Sequence, residues 1–225
     1  HVYDQYVYLG DSRFVGMKGF LKTGCLVNVD FPLYDYGEVD PIDVERLNSP
    51  DRHFVAVATN CLTGETAYLD KNNCSDMVRA AKASASMQYT SPMVMIDGIP
   101  YLDGGCSCDI PYQWAVEQGF DKIVIIRSLD RSFRKKEKRS KLAKIFYRKY
   151  PAFAESVSRK TTSYNKECDA VAELEKSGRA YVIAPKEPVT VKRMESDMEK
   201  LGALYWQGYK DAEEQVEALK NYLIK

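Results

Sequence analysis

Tyr101-Leu-Asp-Gly-Gly-Cys-Ser-Cys-Asp-Ile-Pro111 runs from an apolar strand through an aspartate into a double glycine. Two glycines after a strand allow a sharp turn and close approach by neighbouring backbone. A carboxylate mounted there has a rigid base, a short reach and room beside it, which is what a general base requires. Aspartate before glycine is also a common turn cap. Asp103 therefore carries two readings, a base with Gly104 and Gly105 as its turn, or a cap and nothing more. Ser107 lies just past the turn. It lacks the second glycine of a strained nucleophile elbow, and reads as a polar lining or helix-entry residue. Asp109 precedes Ile110-Pro111 and reads as serving the entry of the next helix, with a place in the lining.

Working outward, Met93 to Ile96 and Ile99 to Leu102 flank Asp97-Gly98, a hairpin signal because both turn positions favour positive φ. Phe54 to Thr59 reads as a strand, Thr63-Gly64 as its turn and Thr66 to Leu69 as the return strand. The alanine-rich segment ending at Met87 reads as a helix, with Pro92 beyond it. Pro111 opens another helix that Gly119 ends. Ile123-Val-Ile-Ile126 is a continuous apolar run of the kind buried on both faces of a sheet. Arg179 to Ala184 is a further strand. From Asp197 onward apolar residues recur at helical spacing, and Gly208 reads as the break between two helices. Strands alternating with helices predict an α/β layered domain over 1–225. It contains a basic helical region at 127–178 and C-terminal helices at 190–225.

With 45% apolar and 28% charged residues, the 225-residue chain can bury a core without metal or disulfide. Apolar runs reach strand length, far short of the ~20 residues of a membrane span, and no stretch reads as a signal peptide. Six cysteines stand at 25, 61, 74, 106, 108 and 168. They lack the paired C-x-x-C spacing of a zinc site, so reduced thiols in a cytoplasmic protein are expected. The two histidines, His1 and His53, offer little to a Ser-His-Asp triad.

Further segments join Tyr101–Pro111 in order: Ser84-Ala-Ser-Met-Gln-Tyr-Thr-Ser-Pro92, the Asp97-Gly98 hairpin and Gly119-Phe-Asp-Lys-Ile-Val124. Leu21-Lys-Thr-Gly24 and Asp40-Pro41 lie upstream. Phe133-Arg-Lys135, Phe146-Tyr-Arg-Lys-Tyr-Pro151, Tyr164-Asn165 and Leu204-Tyr-x-x-Gly208 lie downstream. This ordered set covers nearly the whole chain and resembles the patatin-like phospholipases, in particular the bacterial branch of patatin-type esterases. The resemblance implies a three-layer α/β/α sandwich around a mostly parallel sheet. It also implies a Ser–Asp dyad that hydrolyses lipid esters without histidine or cofactor. Asp103 is the dyad base on that mapping. No serine of this chain stands in G-x-S-x-G, and Gly10-Asp11-Ser12-Arg13-Phe14 and Gly105-Cys106-Ser107-Cys108-Asp109 have only the first glycine. The family's nucleophile and its glycine-rich oxyanion loop are thus expected upstream of His1, and this chain is expected to supply the aspartate alone. A sheet lacking those strands would have an unpaired edge, which favours a homo-oligomer. A non-catalytic lipid- or partner-binding module is the rival reading.

Residues 127–149 carry eleven Lys or Arg against Asp130 and Glu137, a net +9 in a chain whose total is zero. Basic residues beside Leu142, Ile145, Phe146 and Tyr147 suit a helix lying on an anionic lipid surface, giving peripheral membrane contact through 131–149. The plainer alternative is a solvated basic face over an ordinary core contact. Nucleic acid is not an expected partner, because no recognition module surrounds the run and the acidic remainder repels phosphate.

Overall fold

The computed structural model describes residues 28, 30, 43–47, 49–136, 141–192, 195 and 197–224. The readings at His1, residues 10–14, Leu21–Gly24, Cys25, Asp40–Pro41, Glu137 and Arg139 lie outside them. The chain forms two compact units. One takes residues 110–136 and those from 164 onward. The other takes the described residues up to 109 together with 141–163.

The unit that carries Asp103 is built on a four-stranded antiparallel sheet. Its strands are β1 (Ala56–Asn60), β2 (Thr66–Leu69), β3 (Val94–Ile96) and β4 (Ile99–Asp103), in the order β2-β1-β4-β3. A short helix α1 (Val44–Leu47) precedes them. Both hairpins follow from turn chemistry. Gly64 has φ +73°, and Asp97 and Gly98 have φ +48° and +79°, so the chain reverses within a few residues and neighbouring strands pair antiparallel. Helix α2 (Met77–Ala85) starts at Asp76, whose carboxylate accepts the Arg79 N–H at 2.9 Å. Ala80 and Ala83 lie buried among Ala56, Ala58, Leu69, Val94, Ile96 and Tyr101. The small side chains on both elements let helix and sheet approach closely. Leu102, next to Tyr101 on β4, points the other way. It packs with Cys61, Cys106, Ala143, Tyr147, Phe153, Ala154 and Val157. The last five of these come from α4 (Lys141–Phe146), the turn after it, and the start of α5 (Pro151–Lys176).

In the second unit β5 (Ile123–Ile126) and β6 (Ala180–Ile183) form a two-stranded parallel sheet, with Ile123 opposite Ala180. Its core joins Ile123, Ile125, Val171, Ala180, Val182 and Ala184 to Tyr112, Ala115 and Val116 of α3 (Tyr112–Glu117). Two further helices follow, α6 (Met198–Glu213) and α7 (Val216–Ile224).

Three expectations are corrected. The described strands do not form one mostly parallel central sheet of a three-layer sandwich, since four of the six are antiparallel and only β5 and β6 are parallel. The alternation of strands and helices suggested parallel crossovers, but two strand pairs are joined by tight turns, and a tight turn makes an antiparallel pair. Next, β5 is not buried on both faces. Ile123 and Ile125 are buried whereas Val124 and Ile126 are exposed, because the core described around β5 packs on one face alone. Finally, Gly208 does not break the C-terminal helices. It sits inside α6, and the break falls at Glu214.

Candidate functional site

β4 ends at Asp103, which opens a turn of 3₁₀ helix over Gly104–Cys106. The strand end is fixed from several sides. The Asp103 N–H donates to the Ser86 carbonyl at 2.8 Å, and Thr59 Oγ1 donates to the Asp103 carbonyl at 2.8 Å. The carboxylate Oδ1 accepts the Gly105 N–H at 2.7 Å. Among the described residues no donor takes Oδ2. Asp103 thus caps its own turn with one oxygen and has the other available.

The two glycines have different reasons. A Cβ on Gly104 would lie 2.4 Å from the Val57 carbonyl oxygen, so only glycine lets the turn pass over β1. At Gly105 the Cβ position is ringed by chemistry. It is 3.1 Å from Asp103 Oδ1, 3.0 Å from Asp109 Oδ1 and 3.3 Å from Lys160 Nζ. Lys160 reaches in from α5, with Nζ 3.8 Å from Asp109 Oδ1, and both side chains are largely buried. The result is two carboxylates and an ammonium gathered around one glycine. Lys160 is the member that sequence reading missed. It lies 57 positions beyond Asp103, inside a 26-residue helix, and no local motif distinguishes it from the helix's other lysines.

Asp109 does not cap the helix after Pro111, contrary to expectation. The α3 N-terminus has no side-chain cap, while the Ile110 N–H donates to Glu167 Oε2 at 2.9 Å. Asp109 faces Gly105 and Lys160 instead. Ser107 turns toward the sheet. Its Oγ is 2.8 Å from Thr59 Oγ1 and 2.8 Å from Thr66 Oγ1. His53 stands apart, partly exposed, with Nε2 3.0 Å from Asp70 Oδ2. That contact helps hold the Asp70 carboxyl below its usual range. It lies beyond the Ala56–Leu69 end of the first hairpin, whereas Asp103 pairs opposite Ala58.

Cys106 is fully buried beside this cluster, with Sγ 3.4 Å from Gln88 Oε1. Burial pushes its thiol up to about 12, and Lys160 opposes the shift only in part. Cys61 in the same core is also pushed up to about 12 by burial. Neither is a ready nucleophile at neutral pH. Among the described residues no group of three His, Cys, Asp or Glu side chains is arranged to hold a metal ion. No described helix is long and apolar enough to cross a membrane.

Residues 150–224 match DUF6363, a domain of unknown function. That segment holds Lys160 but begins after Asp103 and Asp109. The uncharacterized protein YjjU of Escherichia coli strain K12 is 28% identical over 127 residues, covering 54% of this chain and 35% of that protein. The chain thus spans about a third of the length of the curated relative it matches. Neither name states an activity.

Proposed function

We propose that the chain supplies the general base of a lipid acyl-ester hydrolase, with Asp103 as the aspartate of a Ser–Asp pair. The observation that carries this reading is the mounting of Asp103. Its strand end is tied to Ser86 and Thr59, its Oδ1 is held by the Gly105 N–H, and its Oδ2 is left for another proton. The ordered motifs shared with patatin-like phospholipases support the same role. The antiparallel sheet gives it no support, so the reading rests on the site and the motifs and not on overall architecture.

The nucleophile belongs to a part of the polypeptide outside these 225 residues, as no serine here stands in G-x-S-x-G. In the reaction its hydroxyl attacks the ester carbonyl carbon while Asp103 takes the hydroxyl proton. Collapse of the tetrahedral intermediate expels the alkoxide, which receives that proton. Water then attacks the acyl-serine by the same route in reverse order. The pair needs no cofactor. Among the described residues the cysteines form no disulfide, which supports a reducing setting for the reaction.

The test uses the complete polypeptide and a short-chain p-nitrophenyl ester. Asp103→Asn keeps the side-chain oxygen that caps the turn, so folding is retained while kcat falls by roughly 10²–10⁴ and KM moves less. His53→Ala leaves turnover unchanged. Near-normal turnover by Asp103→Asn would reduce Asp103 to a turn cap. The missing elbow serine favours one second reading, a lipid-binding module without turnover. Lipid binding by a complete polypeptide that hydrolyses no ester would establish it.

A further inference from the structure

The basic run at 127–149 divides into two parts with different fates. In the first part Arg127, Arg131, Arg134 and Lys135 are engaged within their own unit. Arg131 donates to Glu175 Oε1 at 2.8 Å and to the Val182 carbonyl at 2.6 Å. Arg134 pairs with Asp169 at 2.7 Å, and the Lys135 ammonium sits 4.1 Å above the Tyr164 ring. These residues brace a fold. The second part is different. On α4 and the turn after it, Ala143 and Tyr147 face inward and are buried. Leu142, Ile145 and Phe146 are 60%, 69% and 65% exposed. The spacing i, i+3, i+4 puts all three on one side of the helix. Of the apolar stripe read from the sequence, Tyr147 turns inward and makes the core contact together with Ala143, while Leu142, Ile145 and Phe146 stay outside it.

Around this stripe the charge has one dominant sign. Lys144, Arg148 and Lys149 are exposed. Among the described residues the acid paired with them is Glu155, 4.0 Å from Lys144 and shared with Arg159 at 3.8 Å. Tyr89, itself partly exposed, meets the edge of Phe146 at 5.3 Å and extends the apolar surface with a ring that suits a membrane interface. Three large apolar side chains held outward beside three cations match a surface that is oily inside and negative at its rim.

We propose that residues 142–149 dock this unit on an anionic lipid bilayer, with Leu142, Ile145 and Phe146 entering the headgroup boundary and Lys144, Arg148 and Lys149 meeting lipid phosphates and carboxylates. The charge complementarity selects this occupant. A second copy of the chain would set the same three cations against themselves. The proposal stands apart from the role of Asp103 and needs no turnover to be tested.

The experiment is co-sedimentation of the 225-residue chain with vesicles of phosphatidylcholine, with and without about one-third phosphatidylserine. The chain is expected to bind the anionic vesicles at least tenfold more tightly, with binding weakened by salt. Leu142→Ser with Ile145→Ser lowers that binding about tenfold or more, and Phe146→Ser lowers it further. The double variant leaves the Phe146–Tyr89 contact in place, and an unchanged circular dichroism melt certifies its fold. Lys144→Ala, Arg148→Ala and Lys149→Ala combined lower it about a hundredfold, each cation contributing about fivefold. Absence of binding to anionic vesicles overturns the proposal. So does loss in the basic variant alone with the apolar variant unaffected, which would mean charge adhesion without insertion. A chain that is dimeric until Leu142 and Ile145 are replaced, and that binds no vesicle, overturns it in favour of a second copy.

Discussion

A side chain on Gly104 has no room. Its Cβ would stand 2.4 Å from one backbone atom of Val57 and 2.8 Å from another, and backbone cannot rotate aside as a side-chain tip can. Gly104→Ala is therefore expected to lower stability by about 1–3 kcal/mol or more, read as a drop in melting temperature. Gly208 is the counter-case. It sits inside α6, and its Cβ position has nothing within 4 Å, so Gly208→Ala removes unfolded-state freedom without a clash. It is expected to raise stability by about 0.5–1 kcal/mol. A destabilised Gly208→Ala would mean that α6 needs the glycine for a reason its open surroundings do not display. Asp103, Gly104 and Gly105 were legible as one unit because a strand, a carboxylate and two glycines in a row make a local pattern. Lys160 was not legible, because its approach to Gly105 depends on where a distant helix lies.

At the scale of elements, turns were read better than pairings. Thr63-Gly64 and Asp97-Gly98 are turns whose φ values follow from residue type, and the structure has hairpins at both. The pairing of β1 with β4, Ala58 opposite Asp103, joins segments more than forty residues apart and leaves no trace in either strand's own sequence. The C-terminal helix has a similar hidden tie. Tyr222 Oη receives the Ile123 N–H at 3.0 Å and donates to the Arg179 carbonyl at 2.9 Å, fastening α7 to the start of both parallel strands. Tyr222→Phe removes both bonds at once and is expected to cost about 1–2 kcal/mol. Amide exchange at Ile123 and Ala180 should accelerate in this variant, while exchange on β1 should stay unchanged. Equal acceleration everywhere would deny α7 a local role. This tie also bears on the DUF6363 segment: residues 150–224 contain β6 but not its partner β5, so the matched segment does not hold that sheet by itself.

On the scale of the whole molecule, the alternation of helix and strand was legible but not its division into two units. Composition and periodicity describe a single stretch of chain, whereas each unit here is assembled from separated stretches. The chemistry of the cores is uneven too. Cys61, Cys106 and Tyr147 share one core, and burial pushes each group up to about 12. All three hold their protons more firmly folded than unfolded. Above the ordinary thiol value the unfolded chain gives up protons that the folded chain keeps. Stability is therefore full below about pH 9 and declines toward pH 12, by about 1.4 kcal/mol per pH unit for each thiol. Urea midpoints at about pH 8 and about pH 10 measure this, and Cys106→Ala should make the difference smaller. A midpoint that does not move would mean that these thiols ionise freely in the folded state.

The hydroxyls beside Asp103 have a direction. Thr59 has one hydroxyl proton and gives it to the Asp103 carbonyl. With that proton committed, Ser107, 2.8 Å away, is the donor in its contact with Thr59, with the Gly104 carbonyl as a longer second acceptor at 3.3 Å, and Thr66 donates to Ser107 in turn. Three alcohols form a one-way relay, Thr66 to Ser107 to Thr59, that terminates on the peptide oxygen of the aspartate. Ser107 sits mid-relay with its proton committed forward and a lone pair committed backward. Ser107 is thereby wired as a structural conductor of polarity, and reversing the relay would turn Thr59 away and cost the Asp103 carbonyl its donor.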